Sequence, residues 1–163
     1  MDELFAPPIY EWKRLSPKYL SERRLMSAIW WAIVAIVPPA VIFFISGRWT
    51  LPLIIFVAAV AIGIARFVFL KRTWRSWGYV ERDDDLYITH GVWFRSLAAV
   101  PYGRMQLVEV QSGPVDRSFG LASVTLRTAS PSTVATIPGL DPEEASRLRD
   151  RLTERGEAQA SGL

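Results

Sequence analysis

Hydrophobic and polar positions divide this chain into stretches of different rhythm. From Met26 to Ile45, and again from Trp49 to Ala65 running on to Leu70, apolar residues are nearly continuous, and only Ser46-Gly47-Arg48 parts the two runs. A helix rises ~1.5 Å per residue and needs ~20 residues to cross a hydrocarbon core of ~30 Å, so both runs predict spanning helices, at about 26–45 and 50–70. A link this short cannot cross back, so the pair reads as a helical hairpin with both ends on one side of the membrane. After Trp77 the period falls to two. Tyr79-Val80, Leu86-Tyr87-Ile88, Val92-Trp93-Phe94, Leu97–Val100, Leu107-Val108-Val110, Val124-Leu126 and Val134-Ala135-Ile137 form seven short β-prone runs. Turn signals separate them at Asp83-Asp84-Asp85, His90-Gly91, Tyr102-Gly103, Gly113-Pro114, Phe119-Gly120 and Ala129-Ser130-Pro131, which predicts an antiparallel sandwich or barrel.

The last element reads as a helix again. Asp141 suits its N-cap, Pro142 its first position, and Glu144 completes a capping-box-like pattern. Ala145, Leu148 and Leu152 make one apolar stripe, Gly156 is the expected stop, and residues 157–163 form the expected disordered tail. The fold class that follows is an α+β membrane protein: a transmembrane hairpin at 25–71, then a seven-stranded β-barrel or sandwich at 74–156 capped by a C-terminal helix. The leader, residues 1–24, carries Pro7-Pro8 and then mixes Tyr10, Trp12, Leu15, Tyr19 and Leu20 with basic residues. Helical spacing of Trp12, Leu15 and Tyr19 predicts a short interfacial helix over 10–24, or an extension of the first span, with Pro17 marking a break.

Within the spans, Pro38-Pro39 predicts a bend. Trp30, Trp31 and Trp49, with Trp74 and Trp77, resemble aromatic belts at the two interfaces. Ala59 and Gly63, four apart among other small residues, suit close helix packing, within the hairpin or between copies. Arg66 is near enough to Lys71 to snorkel to the interface.

Charge sharpens the topology. The net charge of +3 and pI near 9.5 suggest nucleic acid until the charges are located. Residues 74–163 hold ten Arg and Lys against twelve Asp and Glu, so the surplus lies beside the spans. Lys13, Arg14, Lys18, Arg23 and Arg24 precede the first, Lys71, Arg72 and Arg75 follow the second, and Arg48 stands alone between them. This pattern speaks to lipid headgroups rather than nucleic acid, and the positive-inside rule puts both termini in the cytoplasm. Lys13, Arg14, Arg23, Arg24, Lys71 and Arg72 are the expected headgroup contacts. A cleaved signal peptide does not fit the long charged leader and the second span that follows.

Chemistry is sparse. The chain has no Cys and a single His, His90, in an expected turn. It has no nucleophile elbow, Walker loop or dinucleotide glycine pattern, and Asp83-Asp84-Asp85 lacks calcium-loop spacing. The expectation is a non-enzymatic protein with no cofactor, metal or small-molecule substrate.

The run from Val100 to Ala129 carries a resemblance. Pro101, Tyr102, Arg104, Gln106, Gly113, Arg117, Gly120, Leu121, Ala122, Thr128 and Ala129 match the signature of bacterial PH-like membrane proteins, the YdbS-like group. Ile137-Pro138-Gly139-Leu140 resembles that group's closing turn, and Glu144-Ala145 with Leu148-Arg149 its last helix. Trp12-Lys13-Arg14-Leu15-Ser16-Pro17 and the double span resemble it too, so the likeness covers nearly the whole chain. Leu107 departs from the group, where His or another polar residue is common. The resemblance implies a pleckstrin-homology-like domain and work in membrane complexes linked to envelope defence or export. Arg104, Gln106, Arg117, Gly120 and Leu121 are its candidate interaction residues, with Arg117 suited to bridging loop carbonyls or pairing with Glu109 or Asp116.

Fold does not carry function, and the basic first hairpin used for inositide phosphates reads Glu81-Arg82-Asp83-Asp84-Asp85 here. Three readings remain: an assembly module that joins itself or a related membrane protein, a sensor of anionic lipid, and a small transporter subunit. The last is weakened by spans that carry no deep polar group.

Overall fold

A computed structural model describes residues 11–128 and 134–160. The expectations placed on residues 1–10, on Ala129-Ser130-Pro131 and on 161–163 lie outside the described residues.

Two helices, α1 (Pro17–Ser46) and α2 (Thr50–Arg75), carry the long apolar runs, and both are long and apolar enough to cross a membrane. Helix α1 continues through Pro38-Pro39. Pro17 starts α1 rather than breaking it, as suits a residue with no N–H to leave unpaired. Residues 11–16 are therefore not helical.

Six strands follow: β1 (Gly78–Glu81), β2 (Asp85–His90), β3 (Ser96–Pro101), β4 (Met105–Gln111), β5 (Ala122–Thr128) and β6 (Val134–Leu140). They form two three-stranded antiparallel sheets, β1-β2-β3 and β4-β5-β6, rather than a closed seven-stranded barrel. The run that is not a strand is Val92-Trp93-Phe94, which lies in the loop joining β2 to β3. There Gly91 takes φ +104° and a Cβ on it would collide with the Phe94 carbonyl, so the chain turns where β-propensity alone would extend it. Ile137-Pro138-Gly139-Leu140 is the end of β6, not a closing turn.

A short helix, α3 (Pro114–Ser118), fills the Gly113–Gly120 loop, and α4 (Pro142–Ala160) closes the domain. Helix α4 runs past Gly156, so that glycine is no stop and 157–160 are helical. A Cβ at Gly156 would lie 3.6 Å from the Tyr102 carbonyl, an ordinary contact, so the helix accepts this position without requiring a glycine.

The core lies between the sheets and under α4. Tyr79, Leu86, Ile88 and Tyr102 meet Val124, Leu126, Ile137 and Leu140, and the stripe Ala145, Leu148, Leu152 seals them. Leu15 of the leader is buried in the same cluster. The main-chain N–H and carbonyl of Lys13 pair with Tyr79 at 2.9 and 3.0 Å, and the Ser16 N–H donates to the Gly139 carbonyl at 2.9 Å. Residues 11–16 thus form an extended clasp on the domain, not an interfacial helix. Trp74 and Trp77 also pack on this core: the Trp74 indole N–H donates to the Ser16 carbonyl at 3.2 Å, and Trp77 stacks on His90 at 4.7 Å. The chain accordingly divides into two compact units, Leu20–Arg72 and the rest.

Within the Leu20–Arg72 unit, the buried residues other than Glu22 are alanines and prolines. Ala35, Pro39, Pro52 and Ala59 are buried, and Gly63 lies against Trp31, where a Cβ would come within 3.1 Å of the Trp31 Cβ.

Candidate docking edge beside the C-terminal helix

Strand β4 pairs with β5 along one side only, and its other side meets no strand among the described residues. Val108 and Val110 turn inward to the core, which leaves Leu107 on the outward side, 43 % exposed. The register slips between Met105 and Leu107, so Gln106 faces no partner residue across the ladder. A bulge of this kind bends a strand and re-aims its side chains. Beside it, a groove of about 350 Å³ runs between β4 and α4, lined by Met105–Val108 on one wall and Leu152, Thr153, Gly156 and Glu157 on the other. An open strand edge offers unpaired N–H and carbonyl groups, and an adjoining groove offers space for side chains.

The candidate residues fall at different places. Arg104 and Gln106 are exposed at the start of β4. Arg117 is exposed on α3, beyond the far end of β4, which at ~3.3 Å per residue is roughly 20 Å away. Its guanidinium makes no ion pair or hydrogen bond among the described residues; the loop is tied instead by Asp116, whose carboxylate accepts the Gly113 N–H at 2.9 Å and whose carbonyl accepts the Leu121 N–H at 2.8 Å. Gly120 (φ +63°) supplies the left-handed turn, and Leu121 is buried. The structure therefore brings Gln106 to the groove and leaves Arg104 just before its wall, while Gly120 makes a turn and Leu121 is covered.

Among the basic residues expected at headgroups, Arg14, Arg23, Lys71 and Arg72 are exposed, and the Arg24 guanidinium covers the Phe67 ring at 4.5 Å. Lys13 also pairs within the domain: its ammonium lies 3.0 Å from Glu81 and 3.4 Å from Glu144. Lys18 likewise pairs with Asp141 at 2.9 Å.

Those contacts belong to a network that sequence reading missed. Arg147 bridges Glu81 at 2.7 Å and Glu144 at 2.6 Å, Arg151 reaches Glu81 at 3.3 Å, and the Tyr79 hydroxyl donates to Glu144 at 2.7 Å. Leader, β1 and α4 are thereby tied through charges far apart in sequence. Hydrogen bonds from Arg147 hold the Glu144 carboxyl down to about 2, against the opposing effect of burial and with help from Tyr79. Burial would raise the Glu81 carboxyl, but Arg147 and Lys13 outweigh it and hold it low. Burial, then the Glu144 carboxylate, pushes the Tyr79 hydroxyl well above its usual range.

The acidic β1–β2 turn is also engaged. Arg155 of α4 donates to the Arg82 and Asp83 carbonyls at 2.7 and 2.6 Å, and the Gln159 amide donates to the Asp84 carboxylate at 3.2 Å. The hairpin that would hold a phosphate in a basic PH-like domain is here acidic and latched to the helix.

A family model described as a bacterial PH domain matches residues 25–156. The transmembrane protein YdbS of Bacillus subtilis (strain 168) is 34 % identical over 87 residues, 53 % of this chain and 54 % of that protein. The chain spans about half the length of the curated relative it matches. No solved structure matches.

Proposed function

Because this chain belongs to the bacterial PH domain family, on the match over residues 25–156, we propose that it is a membrane-anchored, non-enzymatic assembly module. The β4–α4 edge takes another PH-like domain, from a second copy or a related membrane protein, by adding strand to strand. The observation that carries this reading is the open, partly apolar β4 edge with Leu107 exposed beside the groove. The departure at Leu107 fits it, since an apolar residue on an open edge suits a protein surface better than water. Both termini face the cytoplasm: even with Lys13 and Lys18 set aside, Arg14, Arg23, Arg24, Lys71, Arg72 and Arg75 outnumber Arg48. Envelope defence or export is the process in which such an assembly would work.

The alternative, sensing of anionic lipid through the domain's first hairpin, is disfavoured by the acidic and latched β1–β2 turn. Non-specific attraction of anionic headgroups to Arg14, Arg23, Lys71 and Arg72 is compatible with either reading.

The test uses the full chain extracted into nanodiscs from native membranes. Mass measurement is expected to give a defined oligomer, or a stoichiometric complex with a PH-like membrane protein, and Leu107→Arg is expected to dissolve it. A lone monomer in every preparation would overturn the assembly reading. The chain has no native Cys. A cysteine at Arg48 should react with an impermeant maleimide from outside intact cells and one at Gln106 should not.

A further inference from the structure

We propose that the tip of the β2–β3 hairpin, Trp93-Phe94 with Arg95, inserts into the interfacial layer of the lipid bilayer that holds α1 and α2. Trp93 is 82 % exposed and Phe94 93 %, whereas every other large aromatic among the domain's described residues is at least half covered. Adjacent aromatics held out in water are unusual on a soluble surface, and Trp and Phe beside a basic residue suit the boundary between headgroups and acyl chains.

The strand register says at which end of the sheet the tip lies. Gly78, at the start of β1, pairs with Thr89, near the end of β2, and Trp77 stacks on His90 at 4.7 Å. The 91–95 loop therefore leaves its sheet at the end where the chain enters from α2, which stops at Arg75. The opposite end of the same sheet is the β1–β2 turn with Asp83, Asp84 and Asp85. The sheet is thus polarised along its strands, with Arg95 and the aromatic pair at the end where β1 begins and the three aspartates at the other, where Arg82 and Arg155 offset part of their charge. A surface of anionic headgroups would attract the first and repel the second.

The tip is also a defined turn. Gly91 folds back against the Phe94 carbonyl at φ +104°, a position that a side chain would occupy only with a clash, so the two aromatic residues sit at the apex. Trp74 and Trp77, which follow the second span and would otherwise supply its interfacial aromatics, are instead packed on the domain core. Trp93 and Phe94 fill that role from a distance in sequence. The inference is independent of the β4 edge and stands or falls separately from it.

The native absence of Cys lets one nitroxide be placed at a time on the full chain in nanodiscs of phosphatidylethanolamine and phosphatidylglycerol. Labels at Phe94→Cys and Trp93→Cys are expected to be relaxed by lipid-soluble oxygen several-fold more than by a water-soluble nickel chelate. A label at Asp83→Cys, at the other end of the sheet, should show the reverse. Labels at 93 and 94 as open to the nickel chelate as that at 83 would overturn the proposal. Labels shielded from both reagents would overturn it as well, because they would show protein covering the tip.

Discussion

The hairpin and the PH-like domain are both rich in apolar side chains, and they arrange them in opposite ways. In the domain, large residues go inside: Leu86, Leu126, Leu148 and Val124 are fully buried. In the hairpin the insides are Ala35, Pro39, Pro52 and Ala59, while Phe44 and Ile45 are more than 80 % exposed. The difference is one of solvent. Water drives large apolar groups together, at ~25 cal/mol per Å² buried, whereas lipid tails are as apolar as Leu and leave close packing of small residues to hold helices.

The strongest way to test that contrast is to truncate one large residue in each unit. Leu148→Ala should lower domain stability by about 2–5 kcal/mol, read as a loss of unfolding midpoint in detergent, because it empties space in a closed core. Ile54→Ala, on the outward face of α2, should leave the same transition in place. Equal losses would mean the outward face of α2 is buried in an assembly.

Second in size is the charged tie. Glu81→Gln should cost about 2 kcal/mol, since it leaves Arg147, Arg151 and Lys13 without their shared carboxylate, although their partial exposure lets water recover some of the loss. The same tie predicts acid sensitivity. A carboxyl held near 2 in the folded state and near its ordinary value when unfolded stabilises the fold above that ordinary value, and the contribution fades as pH falls toward 2. Glu144→Gln should flatten this acid limb of the stability curve; an unchanged limb would show that other groups set it.

The smallest expected effect lies in the hairpin. Gly63→Leu should destabilise helix packing by about 1 kcal/mol because Trp31 already occupies the space, while Ala61→Leu, facing outward, should behave as wild type in the same thermal scan. Tolerance of Leu at 63 would remove the small-inside half of the comparison.

How much of this was readable in advance follows the range of the forces involved. The two long apolar helices, most strands and the α4 stripe rest on patterns that are local, and they fall where those patterns put them. Val92-Trp93-Phe94 misled because β-propensity records aromatic and branched side chains, and an aromatic tip has the same composition; only the positive φ at Gly91 separates them. Trp12, Leu15 and Tyr19 have helical spacing, yet a clasp formed with Tyr79 and Gly139 overrides it. Gly156 looked like a stop because a glycine inside a helix and one at its end are alike in sequence. At the docking edge, Arg104 and Gln106 were found by resemblance, but α4's wall of the groove was not, since Thr153 and Glu157 look like any solvated helix face. The Glu81–Glu144–Arg147 tie joins residues more than sixty apart, and no local pattern could announce it.

The clasp has a consequence for biosynthesis. Leu15 belongs to the core, and Ser16 is bonded to Gly139, but both spans and nearly all of the domain are made in between. At ~5–20 residues per second, residues 11–16 wait on the order of ten seconds for the main chain they will grip. During that interval the ribosome delivers the spans to the membrane while the core lacks one of its members. The segment that emerges ahead of the membrane helices is therefore among the last to be seated, and the finished fold closes backwards over its own synthesis.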